Sequence, residues 1–402
     1  MTTIFHVYAA GILGIITLGI WLHLFFGRGW FWRVRKLDAD HDSIPALDEW
    51  PSVIAVVPAR NEAETIGQVV TSLVLQDYPG KFSIVIVDDH SEDATASIAK
   101  QVSNENGAEA QVRIINASEL PEGWTGKLWA LNEGVASTQV SSAMAEAPAF
   151  FWFTDADVTH APDTLRRLVS RTQRENLDLA SLMVLLRVRT LPERALIPAF
   201  LYFFLMLYPP QWIADDELDT AGAAGGCVLL KREALERIGG FAAIRGQVID
   251  DCALAKAVKR SGGRVWMRLT RKSMSLRAYR TFGEIRDLVA RTAFTQLRYS
   301  PLLLVGMLVG MFLTYIAPVM LLFAQDSSAK ILGLIAWFLM SVSFRPTVRF
   351  YRLSPFWAPL LPLIAAFYSY ATWLSALRYW LGRGGQWKGR AQAHEKGQPS
   401  VY

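Results

Sequence analysis

Hydrophobic residues gather at the two ends of the chain, and the stretch between them alternates short apolar runs with polar, turn-rich segments. Val7 to Phe26 is one apolar run with His23 as its polar interruption. Its length matches the ~20 residues that a spanning helix needs. A signal peptide carries its positive charge before the apolar run. Here Arg28, Arg33, Arg35 and Lys36 come after it. Residues 1–30 therefore read as an uncleaved anchor with its N-terminus outside and Arg28 onward in the cytoplasm. The second oily region, 301–381, holds three runs: Leu302 to Phe323, Ile331 to Phe344, and Pro355 to Leu381. The last contains Pro355, Pro359 and Pro362, which break its first turns. Counting every run as a span places the basic tail, 382–402, outside. Its Arg383, Lys388 and Arg390 favour the inside. Both topologies stand at this point.

The middle, about 45–300, has the period of alternating strands and helices. Val53 to Val57, Ser83 to Val87, Val112 to Ile115 and Phe150 to Phe153 are short β-prone runs. Between and after them, Glu64 to Leu75, Ala94 to Gln101, Gly126 to Gly134 and Pro162 to Arg174 read as helices. This alternation predicts an α/β fold with a mostly parallel sheet covered on both faces. Leu196 to Ile213 is rich in Phe, Tyr and Leu and is cut by Pro198, Pro209 and Pro210. It fits a helix lying in the membrane interface better than a span, with a buried core helix as the plainer alternative.

Ligands bind such sheets at the carboxyl ends of the strands. Those positions are polar here: Arg60-Asn61-Glu62 after the first strand, Asp88-Asp89 after the second, and Asp155-Ala156-Asp157 after the Phe150 strand. Helix capping accounts for Ser91 or Asp93. It does not account for paired aspartates. Clustered carboxylates repel unless a cation or ligand compensates. Hard oxygen ligands suit Mg²⁺ or Mn²⁺ together with substrate phosphates. Gly225-Gly226 offers backbone that a substrate can approach closely, with a tight turn as the plainer alternative. Asp250-Asp251 opens a helix with Leu254, Ala257 and Val258 on one face, where the macrodipole alone also favours acids. Gly123 to Leu128 fails as a phosphate-binding P-loop because Leu128 follows Lys127. Lys127 still sits at a helix start where phosphate oxygens are welcome.

Composition adjusts this picture in two places. The chain has 402 residues, 52% of them hydrophobic, and a formal net charge of +5. The bases flank apolar runs and are not interleaved with a stacking platform, which argues against nucleic-acid binding. Cys227 and Cys252 are too few for a disulfide framework and read as small buried residues in a reducing compartment.

In order, Pro-Ala-Arg-Asn-Glu, Asp-Asp-x-Ser-x-Asp, Lys127-Leu-Trp-Ala-Leu-Asn132, Asp155-x-Asp157, Gly-Gly226 and Asp250-Asp251 resemble the family 2 glycosyltransferases of GT-A fold. With one anchor before and apolar segments after, the chain looks most like bacterial hopanoid-associated glycosyltransferases, and more distantly like ceramide glucosyltransferases. The resemblance implies that Arg60, Glu62, Asp88 and Asp89 contact the nucleotide, uridine by expectation, and that Lys127 faces the diphosphate. It further implies that Asp155 and Asp157 hold the metal, and that Asp251 is the general base in an inverting transfer. Arg298 is the expected leaving-group stabiliser, although Tyr299 stands where the family has Trp and Thr295 where it has Gln or Arg. The expected acceptor is a lipid hydroxyl, with Leu196 to Ile213 as an apolar floor. The expected location is the bacterial cytoplasmic membrane with the catalytic domain facing the cytoplasm. A processive polysaccharide synthase and a non-enzymatic scaffold with a degenerate transferase domain are the rival readings.

Overall fold

The computed structural model of the protein describes residues 2–41, 47–140, 147–382, 386–387 and 390–391. Arg383, Lys388 and most of the basic tail lie outside the described residues. Eight strands form the main sheet: β1 (Val53–Ala59), β2 (Phe82–Asp88), β3 (Val112–Asn116), β4 (Phe150–Phe153), β5 (Val158–His160), β6 (Leu179–Leu185), β7 (Val228–Lys231) and β8 (Val265–Ser275). Their spatial order is β3-β2-β1-β4-β7-β6-β8-β5. The β3, β2, β1 and β4 strands run parallel, as do β6 and β8. β7 is antiparallel to β4 and β6, and β5 is antiparallel to β8. The four strands anticipated from sequence are the parallel half of this sheet.

β1 is buried at every position. A parallel strand covered on both faces must read as a continuous apolar run. Its side chains alternate between two cores. Ile54 and Val56 join Val85, Val87, Phe151 and Phe153 on one face. Val53, Ala55 and Val57 join Ile84, Ile86 and Trp152 on the other. The second face is covered by helices Ile66–Val74 and Thr164–Arg174, through Val69, Leu73, Leu165 and Leu168. The first face is covered by helices Gly126–Val140 and Asp250–Arg260. Gly134 lets the former sit close, since a Cβ there would lie 2.4 Å from Cγ1 of Val56.

The first core continues without a break into the apolar helices. Helix Leu191–Leu207 contributes Leu196, Ile197, Leu201, Tyr202 and Leu205 to it. Thr190 and Glu193 form a capping box at its start, which satisfies two otherwise unpaired N–H groups. It lies between β6 and β7, which are hydrogen-bonded neighbours in one sheet. A single membrane crossing would put those two strands on opposite sides of the bilayer, so this helix does not cross. It packs instead against later helices: the Tyr202 hydroxyl bonds to Ser343 Oγ at 2.7 Å, and Tyr368 donates to the Leu196 carbonyl at 2.9 Å. Arg28 donates from Nε to the Met206 carbonyl at 3.0 Å and stacks 4.5 Å from the Trp212 ring. A cation at that helix C-terminus is favoured by the macrodipole.

Helix Thr2–Leu22 meets the late helices in its last turn, where Trp21 Nε1 donates to the Thr314 carbonyl at 2.7 Å and its ring meets Tyr315 edge-on. The run from Pro301 to Leu321 is helical throughout, with a π-helical turn at Phe312–Ile316. Ser327–Phe350 is a single helix, longer at both ends than the apolar run alone suggests. Pro355–Leu360 is a tight 3₁₀ turn before helix Leu361–Trp380, as the prolines require. Leu302 is 80% exposed and Phe323 85%. Such apolar faces are stable when lipid covers them. Among the described residues, and including 191–213, five helical segments are long and apolar enough to span a membrane.

Candidate active site

The carboxyl ends of β1 and β4 open onto a cavity of about 270 Å³. Asp155, Asp157, Asp250, Asp251, Lys127 and Glu62 all line it. Sequence elements far apart in the chain thus meet at one point, as the strand-end rule requires. Lys127 is the hub. Its Nζ lies 2.8 Å from Asp155 Oδ1 and 3.4 Å from Asp250 Oδ2. Burial alone would lower the lysine pKa, but the surrounding Asp155, Asp250 and Asp251 raise it above the ordinary value. Burial would raise Asp155; the Lys127 ammonium overrides this and holds its carboxyl below the usual range. Asp157 moves the other way, pushed up by burial and by the neighbouring Asp155.

The loop that carries these aspartates is pinned from beneath. His160 is buried, and burial drives its pKa down to about 3, so the ring is neutral. Its Nε2 bonds to Thr154 Oγ1 at 2.7 Å and its Nδ1 to Ser273 Oγ at 2.8 Å. Thr154 in turn donates to the Gly226 carbonyl at 3.0 Å. One chain of bonds therefore links β4, β5, β8 and the glycine loop before β7.

Asp251 accepts the Gly225 N–H on Oδ2 at 2.8 Å and the Cys252 N–H on Oδ1 at 2.7 Å. Burial and the adjacent Asp250 nevertheless raise its pKa to about 6. A carboxylate poised there is ionised at neutral pH and basic enough to take a proton in a transition state. A Cβ on Gly225 would press on Lys127 Nζ at 3.1 Å and touch Asp251 Oδ2 at 3.4 Å. The close approach this glycine makes is to the Lys127 and Asp251 side chains.

Arg60, Asp88 and Asp89 are buried beside this cavity but do not line it. Arg60 donates to the carbonyls of Asp89 and His90, which fixes the turn after β2. Asp88 accepts from the Ser91 hydroxyl and closes the same turn. Asp93 accepts the Thr95 and Ala63 N–H groups at 3.0 and 3.1 Å. Glu62 does reach the cavity. Arg298 does not line it. It lies in the turn after helix Phe282–Gln296, with φ +52°. Arg291, about two helical turns earlier, lines the cavity instead.

The motifs also leave out Ser275, Arg277 and Tyr279. Arg277 pairs with Glu62 Oε1 at 3.0 Å and Asp157 Oδ2 at 3.2 Å. Ser275 Oγ donates to the same Asp157 oxygen at 3.3 Å. All follow or end β8, whose run from Val265 to Thr270 alternates well enough to have been read as a strand. The strand-end rule would then have flagged them.

Phe200 and Phe204 of helix Leu191–Leu207, with Met183, Leu186 and Leu288, supply apolar surface to the same cavity. The apolar floor anticipated from sequence is thus in place beside the acidic groups. Glu62, Asp157, Ser275 and Arg277 also border a second, larger cavity of about 760 Å³, which continues past Arg187, Arg189 and Arg280.

A mixed sheet, parallel in its first half, that gathers carboxylates at the ends of β1 and β4 defines a GT-A fold. Residues 54–239 match the model of Glycosyl transferase family 2. A Beta-monoglucosyldiacylglycerol synthase of Synechocystis sp. is 34% identical over 134 residues, which are 33% of this chain and 24% of that protein. An N-acetylglucosaminyltransferase of Mesorhizobium japonicum is 28% identical over 130 residues, 32% of this chain and 27% of that protein. The matched stretch thus spans about a quarter of each relative. A solved structure of the mannosyltransferase PcManGT from Pyrobaculum calidifontis, in complex with GDP-Man and Mn²⁺, superposes with a TM-score of 0.54 at 20% identity, over 91% of this chain and 99% of that one.

Proposed function

We propose that the protein is a membrane-bound inverting glycosyltransferase that moves a sugar from a nucleotide donor, a UDP-sugar by resemblance, to a lipid hydroxyl. A hopanoid polyol is the acceptor class that the sequence resemblance selects. The single observation that carries this reading is that Asp251 lines the same cavity as Phe200, Phe204 and Leu288. A base that shares its cavity with apolar side chains suits a hydroxyl on an apolar body. The partial relative that makes a glycosyldiacylglycerol points to the same acceptor chemistry. We place the domain on the cytoplasmic face of a bacterial membrane, where Arg28 and Arg33 after the anchor favour it.

Asp155 and Asp157 suit a divalent cation. Five carboxylates line the cavity against Lys127, Arg277 and Arg291, an excess of two negative charges. Among the described residues no three His, Cys, Asp or Glu side chains close round a metal on their own. Mg²⁺ and Mn²⁺ typically need only one or two carboxylates and take their other ligands from phosphate and water. The fold neighbour holds GDP-Man together with Mn²⁺. Bound there, the metal would neutralise charge on the departing diphosphate.

The chain's own residues do the rest. Lys127 and Arg291 bring positive charge to the leaving phosphate oxygens. The acceptor oxygen attacks the anomeric carbon as its proton passes to Asp251. The bond from that carbon to the phosphate oxygen breaks, and its electron pair leaves with the diphosphate. One displacement inverts the centre. The test is nucleotide release by the full chain in nanodiscs, from UDP- and GDP-sugars, with and without Mn²⁺. Diacylglycerol, ceramide and a hopanoid polyol are offered separately. A single-sugar glycolipid is the expected product. Release that no lipid stimulates would sink the lipid acceptor, and a polymeric product would establish a processive synthase instead.

A further inference from the structure

Arg277 stands on the wall shared by the two cavities. Its guanidinium bridges the loops after β1 and β4: Nη2 is 3.0 Å from Glu62 Oε1 and Nε is 3.2 Å from Asp157 Oδ2. The Asp157 oxygen that it occupies also accepts the Ser275 hydroxyl, at 3.3 Å. The carboxylate proposed as a metal ligand is therefore already paired with a cation supplied by the chain. A dication on that oxygen and a guanidinium in contact with it repel each other strongly at such separations. One must yield to the other. Glu62 gives Arg277 a second anchor, so it can leave Asp157 without leaving the site. The open cavities on both sides leave space for the turn.

We propose that Arg277 is an exchangeable counter-ion: it neutralises Asp157 in the free enzyme, gives up that carboxylate when the metal binds, and turns its guanidinium onto the diphosphate that arrives with the metal. The proposal rests on the metal-assisted transfer put forward above. A planar fork of N–H donors matches phosphate oxygens as well as it matches a carboxylate. The exchange also conserves charge. Asp157 is neutralised throughout, first by Arg277 and then by the metal, and the diphosphate gains the group that Asp157 releases. Metal and nucleotide then bind cooperatively, because each removes a cost that the other would meet alone.

The test measures Mn²⁺ binding to the full chain in nanodiscs from the electron paramagnetic resonance signal of free Mn²⁺. It is run without nucleotide, then with UDP and with GDP. Arg277→Gln is expected to bind Mn²⁺ alone on the order of tenfold more tightly than wild type, and to lose part of the enhancement that nucleotide gives. Arg277→Lys, which keeps the competing charge, is expected to stay near wild type for Mn²⁺ alone. Unchanged or weaker Mn²⁺ binding by Arg277→Gln, while wild type binds Mn²⁺ with nucleotide, overturns the exchange and leaves the transfer reading intact. If the variants do not fold, wild type still decides, since independent binding of Mn²⁺ and nucleotide overturns the proposal. Wild type that binds no Mn²⁺ with either nucleotide removes the metal reading, and the exchange with it.

Discussion

The backbone N–H of Gly225 donates to Oδ2 of Asp251 at 2.8 Å, so a peptide group rather than a side chain orients the proposed base. The same peptide lies against Lys127, and a Cβ at position 225 would come 3.1 Å from its Nζ. Gly225→Ala is therefore expected to push the Lys127 ammonium by a few tenths of an ångström while it leaves the core untouched. Steady-state kinetics should show kcat lower by roughly tenfold, less than the loss that a misplacement of about 1 Å can produce. The melting temperature should stay near wild type. Unaltered kcat would mean that the loop gives way without moving Asp251 or Lys127.

Asp251, as the proposed base, is expected to set the pH profile. Burial and Asp250 raise its pKa to about 6. The base works only when ionised, so the rate should fall as pH drops through about 6 and level off above it. Removing the neighbouring charge in Asp250→Asn relaxes one of the two causes, and the acid limb should move to lower pH. Asp251→Asn should lose about 10²–10⁴-fold in kcat, the usual contribution of a general base. Its donor affinity, followed by calorimetry, should be nearly unchanged. A limb that stays fixed in Asp250→Asn would assign the titration to another group.

The parallel half of the sheet was legible in the sequence because buried parallel strands are continuous β-branched runs, as in Val53 to Val57 and Ser83 to Val87. The other half was not. Leu179 to Leu185 and Val228 to Lys231 are short apolar runs that periodicity alone cannot tell from helix, and β7 enters the sheet antiparallel. The same division runs through the site. Asp155, Asp157, Lys127, Asp250 and Asp251 announce themselves as charges beside recognisable elements, and they converge. Arg60 and Asp88 announce themselves just as strongly, yet both hold the turn after β2. Sequence shows that such groups need partners. Only the fold shows that a backbone carbonyl or a serine hydroxyl supplies them. Arg277 reaches Asp157 from 120 positions away, by way of a strand that was not anticipated.

The apolar wall offers a test of acceptor binding that spares the chemistry. Phe200 and Phe204 line the cavity from helix Leu191–Leu207, whose other face is buried against the late helices. Truncating either to Ala removes contact with the acceptor and leaves every charged group in place. Losing one well-buried aromatic contact costs about 1.5–3 kcal/mol, or roughly 10–100-fold in affinity. The KM for a lipid acceptor should rise by that order, and the KM for the nucleotide sugar should hold. An increase confined to the donor would place the sugar, rather than the lipid, against this wall.

Arg291 and Arg298 separate what the motif implies from what the fold supplies. Arg291, on helix Phe282–Gln296, lines the cavity and helps hold the Asp155 carboxyl down, behind Lys127 and Arg277. Arg298 sits past the helix end with φ +52°, next to Tyr299 at +55°. Its backbone donates to the Thr295 carbonyl at 2.9 Å, and its conformation serves the turn into the helix that begins at Pro301. A left-handed residue followed by another is strained for any side chain and relaxed by glycine. Arg291→Ala is therefore expected to lower kcat by about 10²–10³-fold, as loss of a preorganised charge at a developing anion does. Arg298→Gly should keep kcat within a few-fold and match or exceed wild type in melting temperature. The two variants assayed side by side decide between the positions. A collapse of kcat in Arg298→Gly, with Arg291→Ala active, would return the leaving-group role to the motif arginine and require the helix after Thr281 to turn when donor binds.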